Sequence, residues 1–296
     1  MLNLHDPIYF HRYTLRSRAA LNAMTDKREH EGALVKIGDG VGCLHPWPER
    51  GDLPVERMLS ILQKGGFTGM LERLRVCCHI DGAARKLGRS AFVDFSVPPS
   101  HSYGAGDGGV VKVKCGPDIA HEAERLKKFA AAKLRLDFNA TLTPESYRAF
   151  CRKLEGAAAE RIDFVEDPFD APAHIWEKVQ KETPFPLAGD RVPVPSAVMI
   201  VKPTMDTIPV RKGRLIFTSN MDHPIGQLFA AREAAAFYSA RPDLAEVCGF
   251  ATHVLYEEDD FIERMRTDAE GRLIPPPGTG FGFDDLLEKL PWQRLH

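Results

Sequence analysis

Val110-Val111-Lys112-Val113-Lys114, Leu134-Arg135-Leu136-Asp137-Phe138-Asn139, Phe164-Val165-Glu166-Asp167-Pro168, Leu187-Ala188-Gly189-Asp190 and Ile200-Val201-Lys202-Pro203 are five short apolar runs, each leading into a charged residue. The intervals are regular: 23 residues from Lys114 to Asp137, 29 from Asp137 to Glu166 and 24 from Glu166 to Asp190. Each is the length of one strand plus one helix returning to a parallel neighbour. Charges at the ends of successive parallel strands fit the rim of a (β/α) barrel, where such folds keep their chemistry.

The two-residue period of a strand sharpens this reading. Lys112 and Lys114 share a face, as do Arg135, Asp137 and Asn139. In a barrel that face is the interior, and a charge buried there costs several kcal/mol unless it is paired or coordinated. Asp137, Glu166 and Asp190 offer three hard oxygen ligands from consecutive strands, a set that suits Mg²⁺, with Mn²⁺ as the alternative. The competing reading is a structural network in which these carboxylates only pair with Lys112, Lys114, Arg135 or Lys202. A lysine beside another lysine and a divalent cation is pushed toward its neutral form. This assigns Lys114, nearer the rim, as a base and Lys112 as its electrostatic partner. Lys202 falls across the barrel from Lys114. There it serves as an acid, a second base or a cation facing developing negative charge.

Outward from this core, residues 1–94 lack strand–helix alternation and read as a small α+β capping domain. Its strands lie at Ile8–Tyr13, Gly32–Ile37 and Val41–Leu44, with a turn at Gly38-Asp39-Gly40 and helices from Leu53 and Leu71. The barrel is expected over residues 95–265, with a first strand at Phe95–Val97 closed by Pro98-Pro99. A flexible loop is expected over Gly104–Gly109. Pro117 is expected to open a helix with an apolar stripe of Ile119, Ala123, Leu126 and Ala130. Thr143 and Pro144 start another, carrying Tyr147, Phe150, Leu154 and Ala158 inward. Residues 266–296 are expected to return to the cap.

The composition is that of an ordinary globular protein: 44% of residues are hydrophobic and the formal net charge is −2. There is no polycationic footprint for nucleic acid. No run is long and apolar enough for a membrane span, and the first residues carry no export signal. The six cysteines are scattered and fit reduced thiols in the cytoplasm. Nothing in the sequence sets an oligomeric state.

The array K-x-K, L-R-L-D-F-N, V-E-D-P, a strand-five Asp and I-V-K-P-T resembles the enolase superfamily, in its muconate-lactonizing branch. Within it the chain looks most like the o-succinylbenzoate synthases of menaquinone biosynthesis. Lys27–Val35 is similar to that family's capping segment over the substrate. Thr218–Gly226 is similar to its seventh-strand motif, and Gly271–Gly278 to its return to the cap. The resemblance implies Mg²⁺ on Asp137, Glu166 and Asp190, and removal by Lys114 of the proton α to a substrate carboxylate. Loss of a β-hydroxyl then gives an aromatic acid, with Lys202 stabilising the other face. Arg135, Asn139 and Lys112 fall at positions that orient the ligands, and Ser219, Asn220 and Asp222 at substrate-contacting ones. The chain departs from the pattern where Arg191 follows Asp190, where Asp222 replaces a glutamate, and where Asn220 and His223-Pro224 replace small serines. Relatives on this scaffold racemise N-succinylamino acids or epimerise dipeptides. The acids of Glu257–Asp260 lie downstream of where dipeptide epimerases grip an amino group. A rival of another class is a non-catalytic ligand-binding barrel.

Overall fold

The computed structural model describes residues 7–21, 25–103, 109–154, 156–190, 194–209 and 213–295. Strands β1 (Ile8–Arg16), β2 (Glu29–Ile37) and β3 (Gly40–Leu44) form an antiparallel meander. Ile37 pairs with Gly40 across a two-residue loop, and Gly38 takes φ 60°, which a glycine accepts without strain. Helices α1 (Val55–Gln63) and α2 (Gly69–Lys86) cover one face of the meander. Thr68 caps α2 by accepting from the Leu71 amide. β3 packs so closely on α2 that a Cβ at Gly40 would lie 1.8 Å from the Cys78 carbonyl oxygen.

The second body is a curled parallel sheet. Its strands are β4 (Ser102–Tyr103), β5 (Val110–Lys114), β6 (Lys133–Asp137), β7 (Ile162–Glu166), β8 (Leu187–Gly189), β9 (Val198–Val201) and β10 (Arg214–Phe217), paired in sequence order. An eighth stretch closes the ring: Cys248 bridges to Ser100, and Gly249 to Thr218 just beyond β10. The result is a (β/α) barrel with an α+β cap. The first strand begins later than expected. Pro98 and Pro99 have no N–H to give, so pairing starts where the Pro99 carbonyl accepts from Cys248 and His101 donates to the Cys248 carbonyl. The loop expected at Gly104–Gly109 falls largely outside the described residues.

Between the strands lie α3 (Ile119–Lys127), α4 (Pro144–Lys153), α5 (Ala157–Glu160), α6 (Ala173–Glu182) and α7 (Pro224–Ala240). Asp118, not Pro117, opens α3, accepting from the Ala120 and His121 amides. α3 stops before Ala130, which is exposed, so the apolar stripe is one turn shorter than expected. Thr143 and Ser146 form a reciprocal capping box on α4. Gly156, at φ 64°, breaks the helix that the sequence pattern ran on to Ala158. Val111, Val113, Leu134, Leu136 and Val165 point outward onto these helices, leaving Lys112, Lys114, Arg135, Asp137 and Glu166 for the interior.

The tail carries β11 (Arg266–Thr267), β12 (Leu273–Ile274), α8 (Asp284–Lys289) and β13 (Gln293–Arg294). β13 adds to β1 as the cap's fourth strand, and Gly271 meets the start of the barrel by accepting from the Ser100 amide. Cap, α7, β10 and tail share one apolar core containing Leu34, Val41, Phe217, Phe229 and Phe281. Asp81, fully buried, stitches two of these parts together, the cap and the tail. It accepts from the Val41 amide at 2.8 Å, the Phe281 amide at 2.7 Å and Arg85 Nε at 2.6 Å. Asp81→Ala is expected to lower unfolding free energy by about 3 kcal/mol, because it leaves two buried amides and Arg85 Nε without their acceptor. Urea unfolding followed by circular dichroism measures this; a loss below about 1 kcal/mol would contradict it.

Candidate active site

The interior residues of β5–β9 converge at the carboxyl end of the barrel. Lys112 Nζ lies 2.8 and 2.7 Å from the two oxygens of Glu166 and 2.9 Å from Asp137 Oδ2. Its three protons therefore have three oxygen partners. Lys114 Nζ has one close partner, Asp137 Oδ2 at 2.6 Å, and one distant one, Asn139 Oδ1 at 3.4 Å; its side chain is 39% exposed. Lys202 donates to Asp190 Oδ2. β5 and β9 are four steps apart in an eight-membered ring, so Lys114 and Lys202 face each other across it.

Electrostatics follow from this crowding. Burial works against the charge of Lys112, but Asp137 and Glu166 outweigh it and hold its pKa above the ordinary lysine value. Burial likewise opposes ionisation of Asp137 and Asp190, yet Lys112 and Lys114 hold the first below the usual carboxylate range, and Lys202 and Arg50 the second. Glu166 goes the other way: burial, with Asp137 and Asp190 alongside, pushes it up despite Lys112. Asp167, at φ 41°, accepts from the Asp190 amide at 3.1 Å and is pushed up to about 7 by burial and by Asp190 and Glu166. With Asp167 counted, four carboxylates here face the three ammoniums of Lys112, Lys114 and Lys202.

The residues fit a hard divalent cation. The donors are three carboxylates from adjacent strands, and Asp190 Oδ1 is buried with no hydrogen-bond partner. Among the described residues no three acids stand in a ready coordination shell; lysines hold the oxygens instead.

The cavity above these groups is about 80 Å³ and is lined from the barrel by Tyr103, Thr218, Ser219, Met221 and Leu255 as well as the charged set. The cap contributes Ala20, Leu21 and Arg50. Lys27–Val35, expected over the substrate, instead enters β2 and does not line the cavity.

Of the three residues expected to contact substrate, Ser219 lines the cavity, its hydroxyl 2.7 Å from Thr252 Oγ1. Asn220 does not line it. It docks the cap: its Nδ2 donates to the His45 carbonyl at 3.0 Å, and Trp47 Nε1 donates to its carbonyl at 2.8 Å. Asp222 is fully buried under the rim, accepts from Thr204 Oγ1 at 3.0 Å, and is pushed up to about 7 by burial.

Asn139 touches one of the carboxylates, its backbone amide donating to Asp137 Oδ1 at 3.1 Å. Arg135 does not. A bulge in β7 turns Asp163 inward, and Arg135 donates to Asp163 at 2.8 Å and to the Val247 carbonyl at 2.7 Å, one layer below the carboxylates. Arg191 lies outside the described residues.

Residues 8–84 match the family of o-succinylbenzoate synthase N-terminal domains. Over 321 residues the chain is 33% identical to the o-succinylbenzoate synthase of Bdellovibrio bacteriovorus, covering 96% of this chain and 97% of that one. The chain belongs to the o-succinylbenzoate synthase family. It is an enzyme of the carbon–oxygen lyase type. Its fold is that of the enolase superfamily. A mandelate racemase/muconate lactonizing protein from Herpetosiphon aurantiacus superimposes with a TM-score of 0.74 at 15% identity, covering 95% of this chain and 98% of that one. An enolase-superfamily member from Roseovarius nubinhibens, solved with magnesium, gives 0.72 at 13% identity, covering 98% of both chains.

Arg50, Tyr103 and Asp167 were not expected as neighbours of the site. Asp167 sits in the quoted V-E-D-P run, but nothing in the local pattern around Arg50 singles it out. Lys112→Ala would leave buried Glu166 without its ammonium and Asp137 with Lys114 alone. Without divalent ions it is expected to cost about 3–5 kcal/mol of stability, read by urea unfolding; a neutral effect would contradict the ion-pair geometry.

Proposed function

We propose that the chain dehydrates 2-succinyl-6-hydroxy-2,4-cyclohexadiene-1-carboxylate to o-succinylbenzoate, a step of menaquinone biosynthesis. The reading rests on one observation above all. Of the two lysines on β5, Lys112 has every proton committed, whereas Lys114 has one close partner and reaches the cavity. Lys114 is therefore the base, and Lys112 fixes Asp137 and Glu166. Mg²⁺ held by Asp137, Glu166 and Asp190 would supply Lewis-acid stabilisation of the charge that develops on the substrate carboxylate.

Lys114 takes the α-proton, and the electron pair moves toward the carboxylate. The bond to the β-hydroxyl breaks, and the Lys114 ammonium returns a proton to the departing oxygen. Water leaves and the ring becomes aromatic. Lys202, on the opposite wall, presents positive charge to the other face of the ring. Met221 and Leu255, with Leu21 from the cap, restrict water around the reacting carbons. The free cysteines among the described residues suit a reducing compartment such as the cytoplasm. No described helix is long and apolar enough to cross a membrane.

Purified protein with Mg²⁺ is expected to consume the diene, followed by its absorbance. Lys114→Ala and Lys202→Ala should each lose about 10²–10⁴-fold in kcat. Absence of turnover in a folded, Mg²⁺-binding protein would overturn the synthase reading. α-Proton exchange in N-succinylamino acids would then favour racemase chemistry.

A further inference from the structure

Among the described residues, Arg50 is the one charged side chain that the cap contributes to the cavity lining. Its guanidinium stands 3.6 Å from Asp190 Oδ2, too far for a good hydrogen bond, and makes no side-chain hydrogen bond among the described residues. Yet the side chain is only 14% exposed. The backbone that carries it is fixed. Arg50 ends a 3₁₀ turn, Pro48–Arg50, and its amide donates to the Trp47 carbonyl at 2.9 Å. Trp47 is itself buried and tied to Asn220 of the barrel. Gly51, at φ 92°, ends the turn in a conformation that a glycine adopts freely.

Apart from Arg50, the charged groups that line this cavity cancel: Lys112, Lys114 and Lys202 against Asp137, Glu166 and Asp190. With the first carboxylate of a dianion at the Mg²⁺ proposed above, Arg50 is the cation of this lining left for the second. Size points the same way. A cavity of about 80 Å³ is too small for a six-membered ring with two acid groups, and Arg50 lines both it and its larger neighbour. That neighbour, a second cavity of about 370 Å³, is lined by Phe169 and Trp176 but also by Glu49, Asp167 and Asp170. Those acids repel an anion, so a carboxylate stops at the guanidinium.

We propose that Arg50 is the specificity residue that receives the far carboxylate of a dianionic substrate, held out from the cap for a bidentate contact. The inference rests on the function proposed above.

The test is calorimetric. Mg²⁺-loaded wild type, Arg50→Leu and Arg50→Lys are each titrated with o-succinylbenzoate and with 2-butyrylbenzoate, which has the same frame without the far carboxylate. Arg50→Leu is expected to weaken o-succinylbenzoate binding by about tenfold or more and to leave 2-butyrylbenzoate within about twofold. Arg50→Lys should fall between. KM for the diene should rise in Arg50→Leu more than kcat falls. Equal weakening of both ligands, or of neither, overturns the inference and leaves the synthase reading standing. Wild type that neither binds o-succinylbenzoate nor consumes the diene overturns both. The Mg²⁺ affinity and urea midpoint of Arg50→Leu show whether the variant is intact.

Discussion

Three lysines hold three carboxylates inside a barrel whose apolar interior is Phe164, Ala188, Val198, Ile200 and Ile216. In such surroundings none of the six charges is tolerable alone. Their mutual pairing fixes where β5 to β9 end, which side chains point inward, and how near two opposed lysines stand to the same small cavity. Replacing one partner leaves the others buried and unbalanced. A structural requirement and a chemical capacity thus share one set of atoms, and Glu166, pushed toward its neutral form, marks the excess negative charge that invites a cation.

The same economy governs the cap. Its meander has one face covered by α1 and α2, while Leu34, Val41 and Cys43 join the core shared with α7 and the tail. Across the boundary Trp47 donates to the Asn220 carbonyl and Asn220 to that of His45, and Asp81 ties hairpin, helix and C-terminal segment together. These contacts set the height of Arg50 over Asp190. Cap position, and with it access to the lysines, is decided by a few satisfied polar groups within an apolar contact.

Much of this was legible in the sequence because strands impose a period of two. That period alone separated Lys112 and Lys114 from Val111 and Val113, and the strand-plus-helix spacing placed the acids on consecutive strands. What escaped has local causes. A bulge at Asp163 drew Arg135 into a lower layer, and bulges leave no mark on an alternating pattern. Asn220 and Asp222 lie in a motif near the rim, but chain direction after β10 turns Asn220 to the cap and buries Asp222. Two prolines delayed the first strand, and a left-handed glycine split a helix that periodicity extended. Arg50 comes from a distant segment, and its place depends on tertiary docking that no short-range pattern encodes.

The central claim is that Asp137, Glu166 and Asp190 act together as one cation site rather than as counter-ions for lysines. Isothermal titration with Mg²⁺ tests it most directly. The account predicts one ion bound per chain, with binding abolished or weakened by roughly tenfold or more in each of Asp137→Asn, Glu166→Gln and Asp190→Asn. Unchanged binding in these variants, or no binding by the wild type, would contradict it.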